Sequence, residues 1–159
     1  MVVRLSERGL PCLVDSSGRA LASAVDAKPT VLKPNAEEAS ELTGRMVSDM
    51  RSAATAAAAL AARGIGRVVI SLGAEGAVAA WDGRLARVRV AALPGVSAVG
   101  SGDCFVGGLA VGIVQKRSMD ETLRMAAGCG AANVLSSEPG FFRVADAERL
   151  AKDVEIDWL

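Results

Sequence analysis

The sequence predicts an α/β fold, a mostly parallel sheet with one β-hairpin added to it. Three features carry that expectation. Short β-branched apolar runs bounded by turn residues alternate with helical stretches along the chain. The longest helical stretch, "SDMRSAATAAAALAARG" (48–64), is rich in alanine and opens on a capping residue, Ser48 or Asp49. Farther on, "GAVAAWDGRLARVRV" alternates around Asp82-Gly83, a pair that favours a two-residue hairpin turn.

The elements follow in order. "VVRLSERG" has the pattern of the last turns of an amphipathic helix closed by Gly9, with no N-cap ahead of it. "PCLVD" (11–15) is a buried strand between a proline and the turn residues Ser16, Ser17 and Gly18. A helix over 18–27 leads to a second strand, "TVLK" (30–33). Pro34 ends that strand, and Asn35 caps a helix running to Thr43 that Gly44 closes. After the alanine-rich helix, "RVVISLG" (67–73) is the third buried strand and the hairpin follows. Helices are then expected from the stretch "AVGSGDCFVGGL" to Lys116, over 119–134 and over 145–152. No repeat, low-complexity linker or domain boundary interrupts this order, so 159 residues read as one domain, 1–159, with a substantial core.

Composition narrows the function. Hydrophobic residues at 51% against 23% charged place the chain with globular proteins rather than disordered ones. Eighteen basic residues balance eighteen acidic ones, so no net field attracts nucleic acid or an anionic membrane, and a small-molecule partner is expected. The absence of histidine removes Ser-His-Asp and Cys-His catalysis and the usual transition-metal sites. Cys12, Cys104 and Cys129 are scattered, which argues against both a disulfide framework and a zinc site. Arg4, Glu7 and Arg8 break any secretory layout, and no apolar run is long enough to span a bilayer; a cytoplasmic protein is expected.

Three segments fall beyond the carboxyl ends of strands or at a helix mouth, where α/β folds collect ligands. In "VGSGD", Gly100, Ser101 and Gly102 can offer bare backbone N–H groups, and the positive end of the helix dipole adds to them. Asp103, in the first turn, is stabilised as an anion there and is placed to act as a base. In "KPNAEE", Asn35 and Glu38 offer hard oxygens to Mg²⁺, directly or through water, and Lys33 a point charge toward phosphate. "SLGAEG" has Gly73 and Gly76 for a turn passing close to a ribose or phosphate. Each segment also has a plain reading: a turn and cap, a capping box between Asn35 and Glu38, a tight turn before the hairpin. Asp15 and Ser17 are likewise open to an Asx turn. Cys104 fits a small core residue, and Gly107, Gly108 and Gly112 fit close-packing positions.

Taken in order, "VDSSG", "KPNAEE", "VVISLGAEG", "VGSGDCFVGG" and "AANVL" resemble the PfkB (ribokinase-like) carbohydrate kinases, nearest their phosphofructokinase branch. The resemblance runs over nearly the whole chain and implies a ribokinase-like three-layer α/β sandwich. It implies ATP and Mg²⁺ as cofactors and a fructose phosphate, 1- or 6-, as acceptor, with tagatose 6-phosphate a further option. By the same resemblance Asp103 matches the catalytic base, and Gly100, Ser101 and Gly102 match the anion hole. Asn35 and Glu38 match the motif associated with Mg²⁺ and phosphate. Ser71, Gly73, Glu75 and Gly76 match a loop at the nucleotide, and Asn133 a position near the adenine. Ser97 stands where ribokinase-type members place an acidic residue that helps to hold a monovalent cation, so that cation is not expected. Family members are about twice as long, and the matched segment is their C-terminal half. The implied kinase therefore stands beside two other readings: a non-catalytic nucleotide-binding half, and a half-enzyme completed by another chain or in a homo-oligomer. A bare sheet edge and exposed apolar surface are expected in each case.

Overall fold

The computed structural model describes residues 1–91, 93–95 and 97–159. Strand β1 (Leu13–Val14) pairs in parallel with β2 (Val31–Leu32), and β2 in parallel with β3 (Arg67–Ser71). Strand β3 runs antiparallel to β4 (Ala77–Trp81). With β5 (Arg84–Arg89) and β6 (Glu155–Trp158) the sheet has the order β1-β2-β3-β4-β5-β6. At the β4–β5 turn Asp82 and Gly83 have φ of 49° and 86°, the double positive φ that a two-residue turn needs to match strand twist. Strand β6 was not among the expected elements. Two of its four residues, "EIDW", are acidic, and only every second residue is half-buried.

The chain divides into two compact units: Met1–Gly73, Ala77–Arg87 and Trp158–Leu159 in the first, Ala74–Gly76 and Val88–Asp157 in the second. In the first unit lie α1 (Val2–Glu7), α2 (Gly18–Asp26), α3 (Ala36–Thr43) and α4 (Met50–Ala61). Val31, Leu32, Val68, Val69 and Ile70 have no exposed surface, as expected of central strands covered on both faces. Helix α4 lays Ala53, Ala57 and Leu60 into one core with Leu32, Val68 and Ile70, so its small side chains bring it close to the sheet. Each fully buried Val, Leu or Ile here contributes about 1.5–3 kcal/mol.

The second unit is helical, with α5 (Ser101–Val114), α6 (Met119–Val134) and α7 (Val144–Lys152). Glycines set its spacing: a Cβ on Gly108 would lie 2.6 Å from the Ala126 Cα, and one on Gly128 would lie 2.5 Å from the Ala147 carbonyl oxygen. Gly112 packs the same way against Thr122. Gly107 departs from expectation, because a Cβ there meets nothing within 4 Å. It sits one residue off the packed seam, on the exposed side of α5. Val99, Val111, Val114, Phe141 and Val144 are exposed in this unit. No helix among the described residues is long and apolar enough to cross a membrane.

Candidate active site

In the second unit, α5 begins without a side-chain cap. Its N-cap is Gly100 at φ 83°, a left-handed conformation that glycine adopts at little cost. A Cβ at Gly100 would also stand 2.7 Å from the Gly140 nitrogen, so the 139–140 turn occupies the space behind the loop. The Ser101 N–H is taken up by the Ala98 carbonyl at 3.2 Å. The N–H groups of Gly100, Gly102 and Asp103 have no protein acceptor among the described residues. Free donors at the positive end of a fourteen-residue helix suit an oxyanion.

Asp103 is exposed in the first turn of α5, and no protein group pairs with its carboxylate among the described residues. It lines an open groove of about 990 Å³ with Gly107, Val111, Cys129 and Glu148. Cys104 is buried, as a small core residue should be. Burial pushes its thiol above the usual range, and the Asp103 charge beside it adds to the rise. A thiol so raised is a poor nucleophile at neutral pH.

Asn133 is 1% exposed near the end of α6. Its Nδ2 donates to the Val99 carbonyl at 2.8 Å and to Ser101 Oγ at 3.0 Å. Its Oδ1 accepts from the Gly140 N–H at 2.7 Å. Within this unit the fold thus brings Asn133 to the loop that contains Gly100–Asp103. Glu75 ends a 3-10 turn over Gly73–Glu75, and Gly76 follows at φ 98°. A Cβ on Gly76 would fall 2.1 Å from the Val88 carbonyl oxygen, so no other residue fits there.

In the first unit, Lys33, Asn35 and Ser71 lie at the carboxyl ends of β2 and β3. Asn35 and Ser71 form a parallel bridge, and the Ser71 N–H donates to the Pro34 carbonyl at 3.1 Å. Lys33 is buried, and its Nζ pairs with Asp15 Oδ2 at 3.2 Å. That ion pair, rather than an Asx turn alone, accounts for Asp15; the Lys33 charge is neutralised inside the protein.

Asn35 and Glu38 form a full capping box on α3. The Asn35 side chain accepts from the Glu38 N–H at 2.9 Å, and Glu38 Oε2 accepts from the Asn35 N–H at 2.8 Å. Glu38 Oε1 has no protein donor among the described residues. No cluster of three or more His, Cys, Asp or Glu side chains able to hold a metal occurs among those residues. One free carboxylate oxygen fits Mg²⁺, which binds through one or two carboxylates and keeps several waters.

Known proteins resemble this chain over most of its length. The model of the pfkB family carbohydrate kinases matches residues 4–144. A 1-phosphofructokinase of Escherichia coli K12 is 40% identical over an alignment of 147 residues that covers 89% of this chain and 45% of that protein. A tagatose-6-phosphate kinase of Staphylococcus epidermidis is 31% identical over 159 residues, covering 98% of this chain and 51% of its own. Among solved structures, phosphofructokinase-2 of Escherichia coli in complex with potassium superposes with a TM-score of 0.88 at 28% identity, over 95% of this chain and 51% of that one. The chain spans about half the length of the relatives it matches. With residues 4–144, most of its length, matched by one family model, the chain belongs to the pfkB family of carbohydrate kinases.

Proposed function

We propose that this chain carries the phosphoryl-transfer machinery of an ATP-dependent sugar-phosphate kinase. The γ-phosphoryl group of ATP goes to a hydroxyl of fructose 1-phosphate or fructose 6-phosphate, giving fructose 1,6-bisphosphate. The observation that carries the reading is the start of α5, where the Asp103 carboxylate stands in the same turn as the N–H groups of Gly102 and Asp103, none of them with a protein partner among the described residues.

In this mechanism Asp103 takes the proton of the acceptor hydroxyl as its oxygen attacks the γ-phosphorus. The bond from that phosphorus to the ADP oxygen breaks, and ADP leaves with the electron pair. Charge on the transferring group is met by the Gly100, Gly102 and Asp103 N–H groups and the α5 dipole, groups already oriented before the reaction. Positioning and charge stabilisation are most of what such a transfer requires. Asn35 and Glu38 are the residues that would hold Mg²⁺, directly or through water, and the metal would supply further neutralisation of phosphate charge. Ser71, Gly73, Glu75 and Gly76 are the proposed nucleotide-loop residues. Lys33 supports its strand end through Asp15.

ATP consumption by the purified chain, with each fructose phosphate in parallel, tests the proposal. Sugar-dependent turnover is expected to drop by about 10²–10⁴-fold in Asp103→Asn, the contribution of a positioned base, while ATP binding persists. Unchanged turnover in that variant would remove Asp103 from the mechanism. A second reading follows from the chain's spanning half the length of its relatives. It is the incomplete half of such a kinase, binding MgATP without turnover until another chain completes it. Binding without turnover, or turnover only in a mixed complex, would favour that reading.

A further inference from the structure

We infer that Asn133 is a positioning residue that fixes the anion-binding loop at the start of α5, rather than a residue that touches the nucleotide. The inference rests on the kinase reading above and deepens it. It gives Asn133 a role other than the position near the adenine that the resemblance implies.

The hydrogen-bond inventory decides the matter. A side-chain amide has two donor hydrogens and two acceptor lone pairs. Both Nδ2 hydrogens of Asn133 are engaged, by the Val99 carbonyl at 2.8 Å and by Ser101 Oγ at 3.0 Å. Oδ1 accepts from the Gly140 N–H at 2.7 Å and from the Cys104 thiol at 3.5 Å. The amide orientation follows from its partners, since the Val99 carbonyl can only accept and the Gly140 N–H can only donate. With 1% of the residue exposed, no polar atom remains for a ligand.

What the amide joins gives the role. Val99 and Ser101 flank Gly100, and Gly140 stands directly behind it, where a Cβ on Gly100 would come within 2.7 Å of the Gly140 nitrogen. Asn133 therefore holds both sides of Gly100 and the turn that backs it. A loop containing glycines at 100 and 102 has little rigidity of its own. These three bonds fix the backbone on both sides of Gly100, and with it the directions of the Gly100, Gly102 and Asp103 N–H groups, which have no acceptor among the described residues. Only an amide offers donor and acceptor on one short planar group, so neither Asp nor Leu of similar size can replace it. The bond from Nδ2 also occupies one lone pair of Ser101 Oγ, leaving that hydroxyl its proton to donate.

Binding of MgATP and MgADP to the purified chain, compared between wild type and Asn133→Ala, tests this. The two ligands differ in the phosphoryl group that the loop would hold. Asn133→Ala is expected to weaken ATP about tenfold and ADP less than about twofold, so that the ATP-to-ADP affinity ratio falls. A variant in which both affinities fall together, or neither falls, overturns the positioning role, because a merely structural residue would not separate the two ligands. Should Asn133→Ala fail to fold, Asn133→Ser carries the same comparison, since it keeps one polar atom in the site but cannot span both partners. If the wild-type chain binds neither nucleotide, the kinase reading fails and this inference falls with it. If wild type binds and the variant's ratio is unchanged, only the inference fails.

Discussion

Helices α3 and α5 start in opposite ways. Helix α3 closes its first turn on itself: Asn35 accepts from the Glu38 N–H, and Glu38 accepts from the Asn35 N–H. Helices α4 and α6 do the same with Asp49–Ser52 and Ser118–Glu121. Helix α5 has no such box. Gly100 supplies no side chain, and the N–H groups of Gly102 and Asp103 find no acceptor in the protein among the described residues. A glycine at the N-cap costs only a few tenths of a kcal/mol against a good side-chain cap, so an open start is cheap to keep. Helices α2 and α7 also lack a side-chain cap. The comparison therefore teaches that what sets α5 apart is its left-handed glycine N-cap, with donors left open of the kind the proposed phosphoryl transfer would use.

The largest expected effect attacks the open start. Gly100→Ala forces a Cβ into a φ of 83° and to within 2.7 Å of the Gly140 nitrogen. Strain and overlap together should lower stability by about 1–3 kcal/mol, read from urea unfolding. Nucleotide binding should weaken with it, because the loop must shift to make room. A variant as stable as wild type would show that the 139–140 turn yields easily and does not hold the loop.

A smaller effect is expected at the closed start. Asn35→Ala removes one arm of the box and should cost about 1 kcal/mol by the same unfolding measurement. If Asn35 and Glu38 also hold Mg²⁺ through water, the variant should weaken binding of MgATP more than binding of ATP in the absence of the metal. Equal weakening of the two would leave Asn35 a cap and nothing more.

Most of this contrast was legible in the sequence, and the illegible part has physical causes. Capping boxes are local, three residues apart, so Asn35–Glu38 could be read directly, and Asp49 was one of the two caps proposed for α4. Gly44 and the Asp82-Gly83 turn are local in the same sense. The roles of Asn133 and Lys33 are not local. Asn133 bonds to residues 32 and 34 positions away, and Lys33 to Asp15 across a parallel strand pair. Gly107 and Gly108 are neighbours of one residue type, yet one faces open groove and the other the Ala126 backbone. Helical phase assigns them only once the packed face of α5 is known. Strand β6 escaped because acidic residues alternate along it. Their partner is remote in sequence: Arg89 reaches Glu155 at 3.1 Å and Asp157 at 2.7 Å.

The finest test of the contrast uses acid. Hydrogen bonds from the Ser52 backbone and side chain hold the Asp49 carboxyl below the usual carboxylate range, and Ser118 does the same for Glu121. A carboxyl with a lower pKa folded than unfolded contributes stability that is complete above its unfolded pKa and is lost as pH falls through the folded value. The α4 and α6 caps should therefore weaken as acid is added through and below the carboxylate range, and thermal midpoints should drop over that window. Asn in place of Asp49 can still accept from the Ser52 N–H but cannot be protonated there, so Asp49→Asn should flatten part of the acid slope while holding α4 closed. Helix α5 has no capping box to lose, only the interaction of the Asp103 charge with its dipole, so amide exchange at its first turn should show less acid-dependent opening than is expected at α4 and α6. Acid-dependent opening of the α5 start equal to that of α4 would mean that the two kinds of helix start are not held differently after all.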